Sequence, residues 1–202
     1  MKLNANIFAA VHAFTSADQT RYYLHGVLIE PGGLLIATDG HALFVAQDHT
    51  ATGLPSEPVI VSADKALLTA ARNRKAGNII FPDGYNGAAT VTDDTDQAIG
   101  AGISRVIDGT FPDWRRVVPT DSGARPTTLD GAILRRVSDA IKTITQRKTQ
   151  PLHFGASTDG AQTIVFPHFE HAFAVICAMR EESGARYCDP SYMARREALG
   201  KE

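Results

Sequence analysis

Apolar residues at Ile7, Ala10, Val11 and Phe14 follow the i, i+3, i+4, i+7 spacing of an amphipathic helix, which predicts a helix from Asn6 to Ala17. The period then changes. Tyr22 to Glu30 is dense in aromatic and aliphatic residues and predicts a strand. Pro31-Gly32-Gly33 marks a turn, and Leu34 to Gln47 predicts a returning strand interrupted at Thr38-Asp39-Gly40. The same order recurs. Pro58 to Val61 predicts a short strand, and Ser62-Ala63-Asp64-Lys65 has the chemistry of a helix cap and first turn. Ala66, Leu67, Ala70 and Ala71 supply the apolar face, and Gly77 ends the helix. Strands are predicted at Asn78 to Phe81, Gly87 to Thr92 and Gln97 to Ile107, separated by Pro82-Asp83-Gly84 and the acidic turn Asp93-Asp94-Thr95-Asp96.

A third round follows a polar linker, Thr120 to Thr127. Ile133, Leu134, Val137, Ile141 and Ile144 mark one face of a helix from Asp130 to Thr145. Pro151 to Ala156, Gln162 to Pro167 and Ala172 to Met179 are strand candidates. The tail, Glu181 to Glu202, is thin in apolar residues, and its Pro190 to Leu199 stretch fits either a short helix or disorder. The rounds share a pattern and little sequence identity. The class is α+β, built from about three helix-plus-sheet units: 1–119 as one complete unit pair, 120–127 as linker, 128–180 as an abbreviated half, and 181–202 as tail.

Composition narrows the function. With 202 residues and 44% hydrophobic content the chain can bury a core. No apolar run approaches the ~20 residues of a membrane span, and the N-terminus lacks the apolar core of a secretory signal. Two cysteines, Cys177 and Cys188, make no disulfide framework. A cytoplasmic protein with no membrane partner is expected. A net charge of -2 means that any contact with nucleic acid must come from uneven charge distribution.

Three blocks carry a resemblance. Thr20-Arg21-Tyr22-Tyr23-Leu24-His25-Gly26-Val27, Ala37-Thr38-Asp39-Gly40-His41-Ala42-Leu43 and Ile107-Asp108-Gly109-Thr110-Phe111-Pro112-Asp113-Trp114-Arg115-Arg116-Val117-Val118-Pro119 stand in the order and separation of the middle domain of the bacterial DNA polymerase III β subunit, the sliding-clamp family. Ala174 to Arg180 is similar to that family's last strand, with Cys177-Ala178 where the family has Met-Pro. The family often carries Arg where Ala42 stands.

The resemblance implies a DNA-clamp fold of repeated βαβββ units, with helices on one face of antiparallel sheets, and a protein that performs no catalysis. It implies a pocket for polymerase-type peptides walled by Leu24, Thr38, Gly40, His41, Leu43, Pro112, Arg116, Val117, Val175, Ile176 and Met179. An apolar concavity of this kind can bury Leu and Phe side chains. It also implies duplex DNA as a sequence-independent partner, a clamp loader as a further one, and assembly into an oligomer. Rings in the family close from a fixed number of units. A three-unit chain would then need four copies, and a fourth unit within the second half would make it three. A monomer that keeps the pocket would instead act as an adaptor or decoy for clamp-binding peptides.

A sliding surface needs cations that hold phosphates without reading bases. The second helix ends in Arg72, Arg74 and Lys75. The third carries Arg135, Arg136 and Lys142, followed by Arg147 and Lys148, while most acids fall in turns and strands. These eight residues are the candidate DNA contacts. The first helix contributes only His12.

Seven histidines raise an enzymatic alternative, a small metallohydrolase using Asp39, His41, His168, Glu170 and His171; His25 and His153 stand apart. Against it, the chain has no H-E-x-x-H, no C-x-x-C pair, no G-x-S-x-G and no G-x-x-x-x-G-K-[ST]. Gly100-Ala101-Gly102 lacks the third glycine and following helix of a dinucleotide fingerprint. The expectation is therefore no catalytic residue, no metal and no cofactor.

Overall fold

The computed structural model describes residues 1–120, 123, 128–158 and 160–179. The tail lies outside these residues, as does most of the linker.

Asn4 opens the first helix because its side chain accepts the Ile7 N–H at 3.1 Å, satisfying a donor that the helix cannot. The elements of the first unit are β1 (Lys2–Asn4), α1 (Ala5–His12), β2 (Val27–Ile29), β3 (Leu34–Thr38) and β4 (Ala42–Gln47). The second unit repeats the order with β5 (Val59–Ala63), α2 (Lys65–Ala71), β6 (Asn78–Ile80), β7 (Gly87–Thr92) and β8 (Ala98–Ile107). Asp64 caps α2 through the Leu67 N–H at 2.8 Å. The third round is α3 (Gly131–Thr145), β9 (His153–Ser157), β10 (Ala161–Val165) and β11 (Ala172–Cys177), capped by Asp130. Among the described residues it has no leading strand.

Two predicted boundaries shift. The first helix ends at His12, and Tyr22 to Leu24 is not strand: Gln19–Leu24 forms 3-10 turns. Asp18 accepts from the Thr20 N–H, the Thr20 hydroxyl and the Arg21 Nε at 2.8–2.9 Å. That local network overrides the aromatic, strand-like composition.

All strand pairs are antiparallel, in one sheet ordered β1-β6-β7-β8-β5-β2-β3-β4-β11-β10-β9. The first strand of each complete unit is lent to the other unit: β1 pairs with β6, and β5 pairs with β2. This exchange relates the two units by an approximate two-fold. The third round joins through β11, which pairs with β4 from Ala172↔Ala46 to Ile176↔Ala42.

Strand alternation sorts the core into two layers. Phe44, Ala174 and Ile176 turn toward the helices and join Phe8, Phe14 and Ile141 in the main core. Leu43, Val45 and Val175 turn the other way and pack with Tyr23, Phe111, Trp114 and Phe173 in a second cluster on the outer face. α1 is buried along Ala5–Val11 because it lies between α2 and α3, touching both.

Candidate functional site

The outer cluster opens into an apolar cavity of about 250 Å³ at the end of the β4–β11 seam. Its floor is Leu43 and Val175, its near wall Tyr23 and Leu24, and its far wall Phe111, Pro112, Trp114 and Val117. The far wall is fixed by Glu30, which accepts from the Trp114 Nε1 at 3.2 Å and from Arg115 at 2.9 Å, while the Arg115 guanidinium lies 4.3 Å over the indole. Asp113 caps the short 3-10 turn Trp114–Val117. The segment is thereby held as a rigid wall.

At the mouth, the Thr38-Asp39-Gly40-His41 turn is built by its own side chains. The Thr38 hydroxyl donates to the Ala42 carbonyl at 2.8 Å and accepts the Gly40 N–H at 3.1 Å. Gly40 has φ 90, a left-handed conformation that glycine adopts without strain. A Cβ there would also meet the Arg21 side chain. Asp39 accepts the His41 and Ala42 N–H groups at 2.8 and 2.9 Å and pairs with Arg136 of α3 at 2.7 Å. Burial works against the Asp39 carboxylate, yet the two N–H bonds and the guanidinium outweigh it and hold its pKa below the usual range.

A second, larger opening of about 580 Å³ lies beside the first and shares Cys177 with it; Asp39, His41, Asp130, Arg136 and Met179 line it. Burial, followed by the nearby Asp39 charge, pushes the Cys177 thiol up, which keeps it protonated near neutral pH.

Of the sequence-predicted wall, Leu24, Thr38, Gly40, Leu43, Pro112, Val117 and Val175 line the first cavity. His41 and Met179 line the second. Ile176 is a correction: it neighbours Val175 on one strand, so alternation turns it into the helix-side core, fully buried. Arg116 is exposed and lines neither opening. Cavity residues outside the predicted wall are Arg21, Tyr23, Ala42, Phe111, Asp113, Trp114 and Cys177. All but Cys177 lie within the three family-like blocks, and that placement was the available signal.

On the opposite face, the helix layer gathers cations. Arg72 at the end of α2 and Arg135 and Arg136 of α3 border one groove floored by Ala9, Ala10 and Ala13 at α1. Arg74, Lys75, Lys142, Arg147 and Lys148 are exposed at the helix ends. Arg136 departs from its expected role, since its guanidinium is committed to Asp39 and lies 4.7 Å over Phe14. His12, between the two basic helices, is no cation at neutral pH: burial lowers its pKa to about 4.

His171 stacks edge-on against His49 and Phe169, and among the described residues no three His, Cys, Asp or Glu side chains gather to hold a metal.

No family model matches the chain. The "Beta sliding clamp" of Caulobacter vibrioides is 31% identical over 175 residues, covering 79% of this chain and 44% of that protein. The chain is related to the bacterial β sliding clamps. The Escherichia coli clamp is 36% identical over 112 residues, 52% of this chain and 29% of its own length. The chain therefore spans less than half the length of the curated relatives it matches. Among solved structures, the sliding clamp of Bartonella birtlesii bound to griselimycin superposes with a TM-score of 0.62 at 16% identity, over 89% of this chain and 66% of that one. The Thermotoga maritima β subunit gives 0.59 at 13% identity, over 90% and 65%. The clamp fold is thus shared, with a helix layer on one face of an antiparallel sheet. Among the described residues no helix is long and apolar enough to cross a membrane.

Proposed function

We propose that this chain is a reduced clamp-like accessory of DNA replication: a cytoplasmic, non-enzymatic, self-associating protein. In this reading it binds polymerase-type peptides on the outer sheet face and contacts duplex DNA without sequence preference through its helix face. We also read 1–119 as a complete clamp-like domain, 120–127 as linker, 128–180 as a half-domain and 181–202 as a tail. The observation that carries the reading is the apolar cavity at the β4–β11 seam, where the three blocks that resemble the clamp family converge.

The cavity suits peptide anchors. Its floor is aliphatic, Trp114 offers a flat wall, and the Thr38–Ala42 turn supplies polar groups at the mouth. Burying Leu and Phe side chains there would contribute about 25 cal/mol per Å² of apolar surface removed from water. Arg72, Arg74, Lys75, Arg135, Lys142, Arg147 and Lys148 would supply phosphate contacts, and Arg136 would brace the peptide side through Asp39. A clamp loader remains part of this reading only if the assembled form closes around DNA.

The test is fluorescence anisotropy with short labelled peptides carrying Leu and Phe anchors. Val117 lines the cavity and is 53% exposed, so Val117→Asp should abolish binding while leaving the melting temperature within a degree or two. No binding by the wild-type protein at any concentration would overturn the peptide reading. Binding together with equal retention on circular and linear DNA would favour the adaptor or decoy over an encircling clamp.

A further inference from the structure

A second apolar groove, of about 490 Å³, lies on the outer face of the sheet. Thr163 and Val165 of β10 and Phe173 of β11 form its floor, Val118 and His153 stand at its sides, and Pro167 and Glu170 lie at its far end. The sheet register fixes the face. Thr163 pairs with Val175, and Val165 pairs with Phe173, while Val175 floors the cavity and both Val175 and Phe173 belong to the outer cluster. Paired residues point to the same side.

Groove and cavity meet at two points. Val117 lines the cavity and Val118, the next residue, lines the groove. The Trp114 ring, a wall of the cavity, lies 6.3 Å from the Phe173 ring on the floor of the groove. From Val175 to Val165 the sheet steps across one strand and along by two residues, roughly 8 Å. An extended peptide covers that distance in two to three residues, and its side chains two apart point the same way. A peptide with one side chain in the cavity can therefore set a second in the groove.

The lining sets the chemistry of the occupant. Val117 is 53% exposed and Val165 38%, so apolar surface continues from one depression to the next, the mark of a recognition surface. The volume lies in the range of pockets that enclose ligand groups, about 300–1,000 Å³. The far end is acidic. β10 stops at Val165, and the turn that follows, closed by the Phe169 N–H on the Phe166 carbonyl, brings Glu170 to the rim, exposed. Among the described residues no basic side chain pairs with Glu170. An unpaired carboxylate at the end of an apolar groove complements a cation that follows an apolar side chain.

We propose that this groove is a further subsite for the peptide that fills the cavity. It takes an apolar side chain two residues from the cavity anchor, followed outward by a Lys or Arg that faces Glu170. The proposal deepens the peptide reading above and rests on it for the first anchor. Val118 and the Trp114–Phe173 contact form the ridge between the two subsites, and the Glu30 carboxylate holds the indole in place. Val165 and Phe173 receive the second apolar side chain, and Glu170 selects the charge. Anchors alone then do not decide which peptides bind; the residues flanking them do.

The experiment is fluorescence anisotropy on the full 202-residue chain with three labelled peptides. One is a core of Leu and Phe anchors; the others lengthen it, on the N-terminal or the C-terminal side, by a serine, a leucine and a lysine in that order outward. One lengthened peptide, and not the other, should bind at least about tenfold more tightly than the core, the worth of burying one leucine side chain. Val165→Asp should remove that gain and leave the affinity of the core peptide unchanged. Glu170→Lys, in an exposed turn outside the strands, tests the subsite without touching the sheet. It should weaken the tighter peptide about two- to fivefold, the range of an exposed ion pair, and glutamate in place of the peptide's lysine should restore the loss. Equal affinity for all three peptides overturns the proposal, as does a gain that both variants retain. If Val165→Asp alters no peptide's affinity but lowers the sedimentation coefficient, the groove belongs to a second copy of the chain and the proposal fails. The core peptide separates the two readings: if it binds and its flanks add nothing, only this subsite falls, whereas no core binding to the wild-type protein removes the cavity reading itself.

Discussion

Arg136 and His12 each show how a sequence-level charge changes meaning once the fold gives it neighbours. Arg136 looks like a phosphate ligand until its guanidinium is seen spanning Asp39 and Phe14. His12 looks like a weak cation until burial lowers its pKa from 6.5 to about 4, with a smaller contribution from the nearby Arg72 charge; its own backbone hydrogen bond acts in the opposite sense. Its Nε2 has no hydrogen-bond partner, so protonation would place a charge where little can solvate it. Between pH 6.5 and 4 the unfolded chain takes up a proton that the folded chain refuses. Stability should therefore be fully present above pH 6.5 and fall as pH drops toward 4, by roughly 3 kcal/mol from this group. Urea unfolding at pH 7, 5.5 and 4.5 would show the slope, and His12→Gln should flatten it. An unchanged slope would assign the acid sensitivity elsewhere. The carboxylates with lowered pKa, Asp39 among them, add their own loss only below the ordinary carboxylate range.

At the scale of elements, α3 was readable because five aliphatic residues share one face and Asp130 caps it. β3 and β4 were readable because a Thr-Asp-Gly turn separates two apolar runs. Gln19–Leu24 was not, since its turns depend on side-chain bonds to Asp18 that composition does not advertise. The pocket was partly readable for a related reason: the blocks named its walls, but strand alternation decided that Val175 enters and Ile176 does not. Glycines repeat the lesson. A methyl at Gly102 would collide with the Asp64 carboxylate and the backbone of Leu67, whereas one at Gly131, the first residue of α3, would meet nothing within 4 Å. Gly102→Ala should thus destabilise by about 1–3 kcal/mol through overpacking, and Gly131→Ala should stabilise by about 0.4–1 kcal/mol by restricting the unfolded chain. Thermal melts of the two variants would check the opposite signs; a neutral Gly102→Ala would mean that α2 can shift outward at little cost.

For the whole molecule, the exchange of first strands between units could not be read from any segment, because it depends on which open edge each strand meets. That exchange brings α1 and α2 into one layer, the β4–β11 pairing adds α3 to it, and Arg72 and Arg135 come to lie across the alanine floor of α1, although 63 positions separate them in the chain. A protein of net charge -2 can hold a polyanion only if such local gathering outweighs the global balance. The apolar cavity, on the other side of the sheet, is lined by a different set of side chains. The two surfaces should then be separable by mutation. Arg72→Glu/Arg135→Glu should weaken DNA binding steeply, and the slope of log K against log salt should become shallower by about 2, since each lost phosphate contact accounts for about 0.9. Peptide affinity should stay within a factor of two. Filter binding from 50 to 300 mM salt, with peptide anisotropy on the same preparations, measures both. A double variant that keeps the wild-type slope would remove the helix face from the DNA reading. One that loses both activities would mean the faces communicate through the sheet, with the Asp39–Arg136 pair as the connection between the pocket mouth and α3.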